Sequence, residues 1–334
     1  MKQTSKEKKI IEEVNRLIPN VTINYQRAGN INEVIQAHYF IPTENVHLID
    51  SEYSYKGKLN FIHFTNLIAV QSIITERNLR LYNLRNLNDP REYSFAGDLI
   101  TLDKDKRKDA KDNFYLLSMC KTELLTSRAT TEIEFNMWRL YGNNGQGIAL
   151  ELNFDESPPI KWHDYFLSSV HYGASSKTNL KRLNTLLKQL ENATPLVTAD
   201  LGQIVSFHKS RLFKLEQEIR LLFDNRINKV IGATTYSFKG ETTSPITRTD
   251  ISKSSIVENE IKYLELPIYH SDFKAISTEG TIPVPKIEKI ILGYQFKDNF
   301  QKVATHLENL CNKRLGYIPK IEQSRLTKWY HDTP

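Results

Sequence analysis

Between residues 59 and 323 short stretches of strand periodicity are interleaved with amphipathic helices, without a regular strand–helix–strand rhythm. Side chains two apart share a face of a strand, and those three or four apart share a face of a helix, so the two periods separate the elements. Residues 59–64, 79–84, 114–120, 147–154, 219–223, 262–269, 286–292 and 318–323 read as strands. Helices are expected at 6–18, around 31–39, from a Thr65 or Asn66 cap to about Arg77, at 132–141, 180–190 and 299–313. Pro195 opens a further helix that fades near Lys214, and the Thr- and Ser-rich residues 233–255 read as a long exposed loop. No glycine-rich phosphate loop follows a strand. The expected fold class is therefore α+β, with a mixed, largely antiparallel sheet and surrounding helices rather than a doubly wound sheet.

Composition sets the scale. With 334 residues, 40% of them hydrophobic, the chain can bury one large core or two modest ones. The pattern divides it into a helical extension at 1–57 and a main domain at 58–334. Two cysteines, Cys120 and Cys311, suggest neither a disulfide framework nor a zinc site. The charged start lacks the apolar stretch of a signal peptide, and no apolar run approaches a membrane span. The expectation is a cytoplasmic protein that does not engage a membrane. A net charge of +6 permits an acidic partner such as RNA or DNA without requiring one.

Chemistry concentrates in a few places. If residues 216–220 are extended, Glu216, Glu218 and Arg220 share one face. Two acids there could divide the work of bracing a developing cation and activating a nucleophile. A charge-balanced exposed strand is the plainer reading of the same spacing. His63 precedes a capped helix and stands beside Thr65; it could bond a ribose or simply a backbone group. Trp138 and Tyr141, three apart on a helix, are either core anchors or an aromatic wall for a flat ring. Asn88-Asp89-Pro90-Arg91-Glu92 is a turn sequence. Asp89, Glu92 and Glu218 could serve a metal-dependent nuclease, although no compact acidic cluster appears.

Taken in order, these residues form a series. It runs His63-Phe64-Thr65, Asn88-Asp89-Pro90-Arg91-Glu92, Leu117-Ser118-Met119-Cys120, Met137-Trp138-Arg139-Leu140-Tyr141, Gly147-Ile148-Ala149-Leu150 and Glu216-Gln217-Glu218-Ile219-Arg220. The series resembles a large family of uncharacterised bacterial proteins with the pattern H-x-T, N-D-P-x-E, M-W-x-x-Y and E-x-E-x-R, over roughly residues 58–325. More distantly, His63-Phe64-Thr65 followed by a helix and Asn78-Leu79-Arg80-Leu81 is similar to the opening of the DarT-type ADP-ribosyltransferases. That resemblance implies an ADP-ribosyltransferase-like core with NAD as co-substrate and no metal. It makes Glu218 the catalytic carboxylate and gives Glu216 the acceptor to position or deprotonate. His63 and Thr65 would bind NAD, Tyr141 or Trp138 would stack on nicotinamide, and Ser118 would line the pocket. It further implies a toxin or anti-phage effector acting on nucleic acid or protein, with a neutralising protein partner. A non-catalytic nucleotide- or partner-binding module on the same fold is the alternative.

Overall fold

Phe114, Tyr115, Leu116 and Leu117 do not alternate with polar residues, as befits a strand buried on both faces. In the computed structural model this run lies in the middle of the main sheet. The structure describes residues 4–17, 23–30, 33–40, 51–87, 92–99, 104–127, 131–154, 162, 165–173, 180–193, 196–199, 201–225, 236–238, 241–243, 247–253, 258–273 and 282–332.

The first half of the chain contains α1 (Ser5–Leu17), β1 (Ile23–Asn30), β2 (Glu33–Phe40), β3 (Asn60–Thr65), α2 (Leu67–Glu76), β4 (Asn78–Asn83), α3 (Glu92–Leu99), α4 (Lys104–Asn113), β5 (Phe114–Lys121), α5 (Glu123–Thr126) and α6 (Thr131–Leu140). Next come β6 (Ile148–Asn153), β7 (Tyr165–Ser169), β8 (His171–Tyr172), α7 (Leu180–Ala193), β9 (Leu196–Ala199), α8 (Gly202–Ser206), β10 (His208–Lys209) and β11 (Glu218–Asp224). The chain closes with β12 (Tyr236–Phe238), β13 (Glu241–Thr243), β14 (Thr247–Lys253), β15 (Glu258–Pro267), β16 (Lys286–Leu292), α9 (Phe300–Leu315), β17 (Lys320–Gln323) and α10 (Leu326–Asp332).

Among the described residues, ten strands form the main sheet, in the order β14-β15-β4-β5-β3-β6-β16-β17, with β11 on β5 and β7 on β11. Every pairing is antiparallel except β16 with β17. The architecture is thus mixed α+β with a largely antiparallel sheet and flanking helices.

The sheet branches at β5. One edge of β5 pairs with β11 along its length, from Asp224↔Phe114 to Glu218↔Cys120. Its other edge is shared, with β4 taking Tyr115 and Leu116 and β3 taking Cys120 and Lys121. Between those two ladders β3 and β4 part company, at residues 117–119 of β5.

The two faces of the sheet are covered differently. On one face, Phe61, Leu117, Leu150 and Leu221 pack with Val70 and Ile74 of α2 and Leu307 and Cys311 of α9 in one continuous cluster. The other face carries two clusters. Leu116 and Leu222 lie under α1, α3, α7 and α8, and Ile62 and Cys120 lie under Met137 and Trp138 of α6. A polar row separates them, with Ser118, Arg220 and Ser168 standing opposite one another on β5, β11 and β7.

Asn66 caps α2, its side-chain oxygen accepting the Ala69 N–H at 2.8 Å, and Arg77 ends the helix in the left-handed region at φ 59°. That fits the expected cap and stop. Three expectations are corrected. Residues 31–39 are not helical: β2 pairs with β1 and with β9, as suits the β-branched and aromatic Val34, Ile35, Tyr39 and Phe40. The described residues before 41 thus form α1 and the antiparallel pair β1–β2, and Ile10 and Val14 of α1 are buried in one cluster with Leu183 and Phe207. Residues 233–255 contain β12, β13 and β14, the last paired with β15; threonine suits a strand as well as a loop. Beyond Pro195, β9, α8 and β10 replace the single expected helix.

Candidate functional site

The polar row marks where charged side chains meet. Glu216 is not extended: it ends a 3-10 turn, Arg211–Glu216, and Gln217 adopts a left-handed φ of 45°. The chain then enters β11 at Glu218, so the expected extended row holds only for Glu218 and Arg220. The kink nevertheless turns both carboxylates toward one cation. Lys209 Nζ donates to Glu216 Oε2 at 2.7 Å and to Glu218 Oε2 at 2.9 Å.

Glu218 is 3% exposed and surrounded by donors. Ser118 Oγ donates to its Oε1 at 2.5 Å, Arg220 Nε to the same oxygen at 2.7 Å, and Arg220 Nη2 to Oε2 at 3.0 Å. Arg220 Nη1 also donates to the Ser206 carbonyl, and the Glu218 N–H donates to the Tyr172 hydroxyl at 2.9 Å. Glu216 Oε1 accepts the Tyr141 hydroxyl. Two carboxylates and two cations thus form a neutral, buried, hydrogen-bonded group, the condition under which buried charge is tolerated.

Burial lifts the Glu218 carboxyl above its ordinary range, against the pull of Lys209. Burial alone would push Lys209 down, but Glu218 and Glu216 outweigh it and hold the ammonium above its usual value. Burial lowers Arg220 to about 9, leaving it charged at neutral pH. Burial and then the Glu216 carboxylate raise the Tyr141 hydroxyl. The Cys120 thiol, donating to the Glu216 carbonyl at 3.2 Å, is pushed up chiefly by burial, which suits a packed side chain and not a nucleophile.

Ser118 is exposed although its neighbours on β5 are buried, so the cluster opens to solvent there. Tyr141, just past α6, is 37% exposed and offers a ring face beside Glu216. Trp138 is different. It is fully buried, packs edge-on against Phe64 at 5.0 Å, and its indole N–H donates to Glu134 at 3.3 Å. Of the two aromatic candidates, Trp138 is the core anchor.

His63 lies across the sheet from the acids. Its register partner Leu150 belongs to the single-cluster face, whereas Glu218 and its partner Cys120 face the other way. The two are linked through Ser118, because His63 Nδ1 lies 3.0 Å from the Ser118 carbonyl, across the gap where β3 leaves β5. A carbonyl only accepts, so Nδ1 carries the hydrogen and the neutral ring presents the Nε2 lone pair. Burial lowers the His63 pKa and favours that neutral form. His63, Tyr141 and Glu218 therefore do not line one face of the sheet. Thr65 lies at the end of β3 and, with Tyr141, lines a cavity of about 790 Å³ that runs past Asn66, Asn143, Gln146 and Gln295.

Asn88, Asp89, Pro90 and Arg91 lie outside the described residues. Among the described residues no group of three or more His, Cys, Asp or Glu is placed to hold a metal, and no helix is long and apolar enough to cross a membrane. Sequence reasoning missed Lys209 and Tyr172. They sit side by side on β10 and β8, strands of two residues each, too short to show any periodicity.

Fold and site together define a mixed α+β protein with a buried ionic cluster under an opening in its sheet. Residues 137–221 match the family described as Protein of unknown function (DUF2971). That segment runs from Met137 to Leu221 and takes in Tyr141, Lys209, Glu216, Glu218 and Arg220, while His63 and Ser118 fall before it. Neither the curated proteins nor the solved structures give a match.

Proposed function

We propose that this chain is an NAD-dependent ADP-ribosyltransferase acting on a nucleic acid or a protein, of the kind used as a toxin or anti-phage effector. The observation that carries the reading is the linkage of Glu216, Glu218, Ser118 and Tyr141 in one hydrogen-bonded group that reaches solvent at Ser118. In this reading the half-exposed Tyr141 ring stacks on nicotinamide, and His63, on the other face of the sheet, acts only on the position of Ser118, whose carbonyl its Nδ1 meets at 3.0 Å. The bond between the nicotinamide nitrogen and ribose C1′ breaks, and its electron pair leaves with nicotinamide. Positive charge then builds on the sugar, and a fixed carboxylate, Glu218, stabilises it. The acceptor bonds to C1′ and passes its proton to Glu216; with water in its place the product is free ADP-ribose. This chemistry asks for no metal. The proposed setting is the cytoplasm, with a neutralising protein as partner.

A second reading, a non-catalytic nucleotide- or partner-binding module, is favoured by the crowding of Glu218. Four hydrogen bonds from Ser118, Lys209 and Arg220 already occupy its two oxygens. Catalysis requires ligand binding to draw one of those donors away. The readings separate when the protein is incubated with labelled NAD, a cell lysate and its RNA, alongside Glu218→Gln. Label transfer or nicotinamide release that vanishes in Glu218→Gln supports the transferase. Equal background in both, with NAD still bound, supports the binding module.

A further inference from the structure

The carboxylates are held from β8 and β10, strands of two residues each, too short to persist on their own ladder. β8 and the residue before it grip the backbone of Glu218 at both ends. Val170 N–H donates to the Glu218 carbonyl at 2.9 Å, and the Tyr172 hydroxyl accepts the Glu218 N–H at 2.9 Å. β10 supplies Lys209, which bonds both carboxylates. The two strands are parallel, with Lys209 opposite Tyr172 and His208 opposite His171. Alternation puts these rungs on opposite faces of the ribbon, Lys209 and Tyr172 toward the carboxylates and the two histidines away from them.

Tyr53 closes the histidine rung. Its ring centroid stands 5.1 Å from that of His171 and 5.7 Å from that of His208, and the two imidazoles are 5.3 Å apart. The Tyr53 hydroxyl and His208 Nε2 share a hydrogen bond at 3.1 Å, and His171 bonds the backbone of Glu52. The turn that presents Tyr53 is itself fixed. Ser51 Oγ accepts the Tyr53 N–H at 3.1 Å, and the Tyr55 N–H donates to the Leu167 carbonyl at 3.3 Å. Tyr53 and His208 are buried, and His208 Nδ1 and His171 Nε2 are buried without a hydrogen-bond partner. Glu52 acts on His171, and α3, packed on β10, adds Tyr93 to the cluster that holds Tyr53. The 3-10 turn packed on β8 carries Arg211 and Lys214, both exposed, besides Glu216 on the Lys209 face.

A proton on either orphaned nitrogen is a buried charge with no acceptor, beside a second imidazole. Burial lowers both pKa values, and His171 adds to the effect on His208, which falls to about 3. An opened ribbon therefore takes up protons below about pH 6.5 that the closed ribbon refuses, so acid favours opening.

We infer that Tyr53, His171 and His208 are positioning residues of the carboxylate site: their stack clamps β8 and β10 against β11, and when it opens Lys209 and Tyr172 leave Glu216 and Glu218 together. Acid is the signal that opens it. The inference rests on the proposed function for what the carboxylates do, but the clamp is tested without NAD.

The test is carbodiimide labelling of the full chain with glycine ethyl ester at pH 7.5 and 5.5, read at each carboxylate by mass spectrometry and normalised to the exposed Glu132. Glu134, 1% exposed and bonded to Arg325, lies outside the clamp and reports global unfolding. Labelling of Glu216 and Glu218 is expected to rise about tenfold between the two pH values through His208 alone, and up to about a hundredfold when His171 also takes up a proton. Glu134 is expected to stay level. Tyr53→Phe, which keeps the ring and loses the bond to His208, is expected to raise Glu216 and Glu218 labelling several-fold already at pH 7.5. His208→Gln is expected to remove about a factor of ten from the pH response. Level labelling of Glu216 and Glu218 in the unmutated chain, a parallel rise at Glu134, or an undiminished response in His208→Gln overturns the inference. Nicotinamide release from NAD together with level labelling keeps the transferase reading and removes the clamp. Acid-dependent labelling with no NAD turnover at any pH keeps the clamp and removes the transferase reading.

Discussion

Replacing Lys209 by Met takes the shared cation from Glu216 and Glu218 while keeping most of the side-chain volume. The Lys209, Glu216 and Glu218 side chains are only 8%, 7% and 3% exposed. At about 2.8 Å and an effective dielectric near 20, each contact is worth roughly 6 kcal/mol before desolvation is counted. Desolvation cancels most of that, and removing one partner of a buried pair typically costs about 3–5 kcal/mol. Glu218 keeps Arg220, so the low end applies, about 3 kcal/mol. With a urea m-value of about 3 kcal/mol per molar, the unfolding midpoint should fall by about 1 M. Fluorescence of the buried Trp138 and Trp162 reports the transition. The deficit should shrink as pH falls. Glu218, already raised by burial, loses the cation that pulled it down, so the folded mutant binds a proton that the unfolded chain releases. Stability then declines as pH rises from about 4 toward 7. Adding Glu216→Gln should recover part of the loss. A midpoint shift below about 0.3 M, the scale of an exposed pair, would refute the reasoning.

Other substitutions probe different parts of the molecule. Trp138→Leu should cost several kcal/mol through the cavity it leaves, whereas Tyr141→Leu should cost about 1 kcal/mol in stability and, in the proposed function, abolish NAD turnover; denaturation and nicotinamide release measure the two. His208, buried against the Tyr53 hydroxyl at 3.1 Å, has its pKa lowered to about 3 by burial and then by His171. Its neutral form is favoured by folding, so that contribution is intact above about pH 6.5 and fades by about 1.4 kcal/mol per unit below it. His208→Gln should flatten the acid side of the stability profile between pH 7 and 5, read as urea midpoints. Gly293→Ala forces a methyl toward the Gly145 carbonyl and should destabilise by more than about 1 kcal/mol, with a lower thermal midpoint in calorimetry.

Much of the framework was legible because long elements have room to show a period. The strands at 60–65, 78–83, 114–121, 148–153 and 286–292 and the helices at 67–76, 131–140 and 300–315 all appear within a residue or two of expectation. The failures follow from chemistry common to two states. Residues 33–40 place apolar side chains at spacings that serve a helix or a strand, and pairing with β1 and β9 decides between them. Thr- and Ser-rich residues 247–253 read as loop until β15 supplies a partner. At the site, Glu216, Glu218, Ser118 and Tyr141 were named from sequence and are joined in the structure. Lys209, which joins the two acids, carries no local signal, because its position depends on a two-residue pairing with β8. Trp138 and Tyr141 lie one helical turn apart, yet one is buried and the other half-exposed. The difference comes from where the helix ends, at Leu140, and not from the residue types.

The three-way pairing of β5 has a mechanical consequence. Among the described residues, the strand group β14-β15-β4, the group β3-β6-β16-β17 and the pair β11-β7 each pair with the sheet through β5 alone. A break anywhere else detaches one arm, whereas a break in β5 detaches all three. The β5 amides should therefore exchange with deuterium only through global unfolding, while each arm has its own cheaper opening. Two of the arms meet β5 on either side of Ser118. The opening beside the carboxylates is thus a fork in the sheet itself, placed where its central strand changes partners.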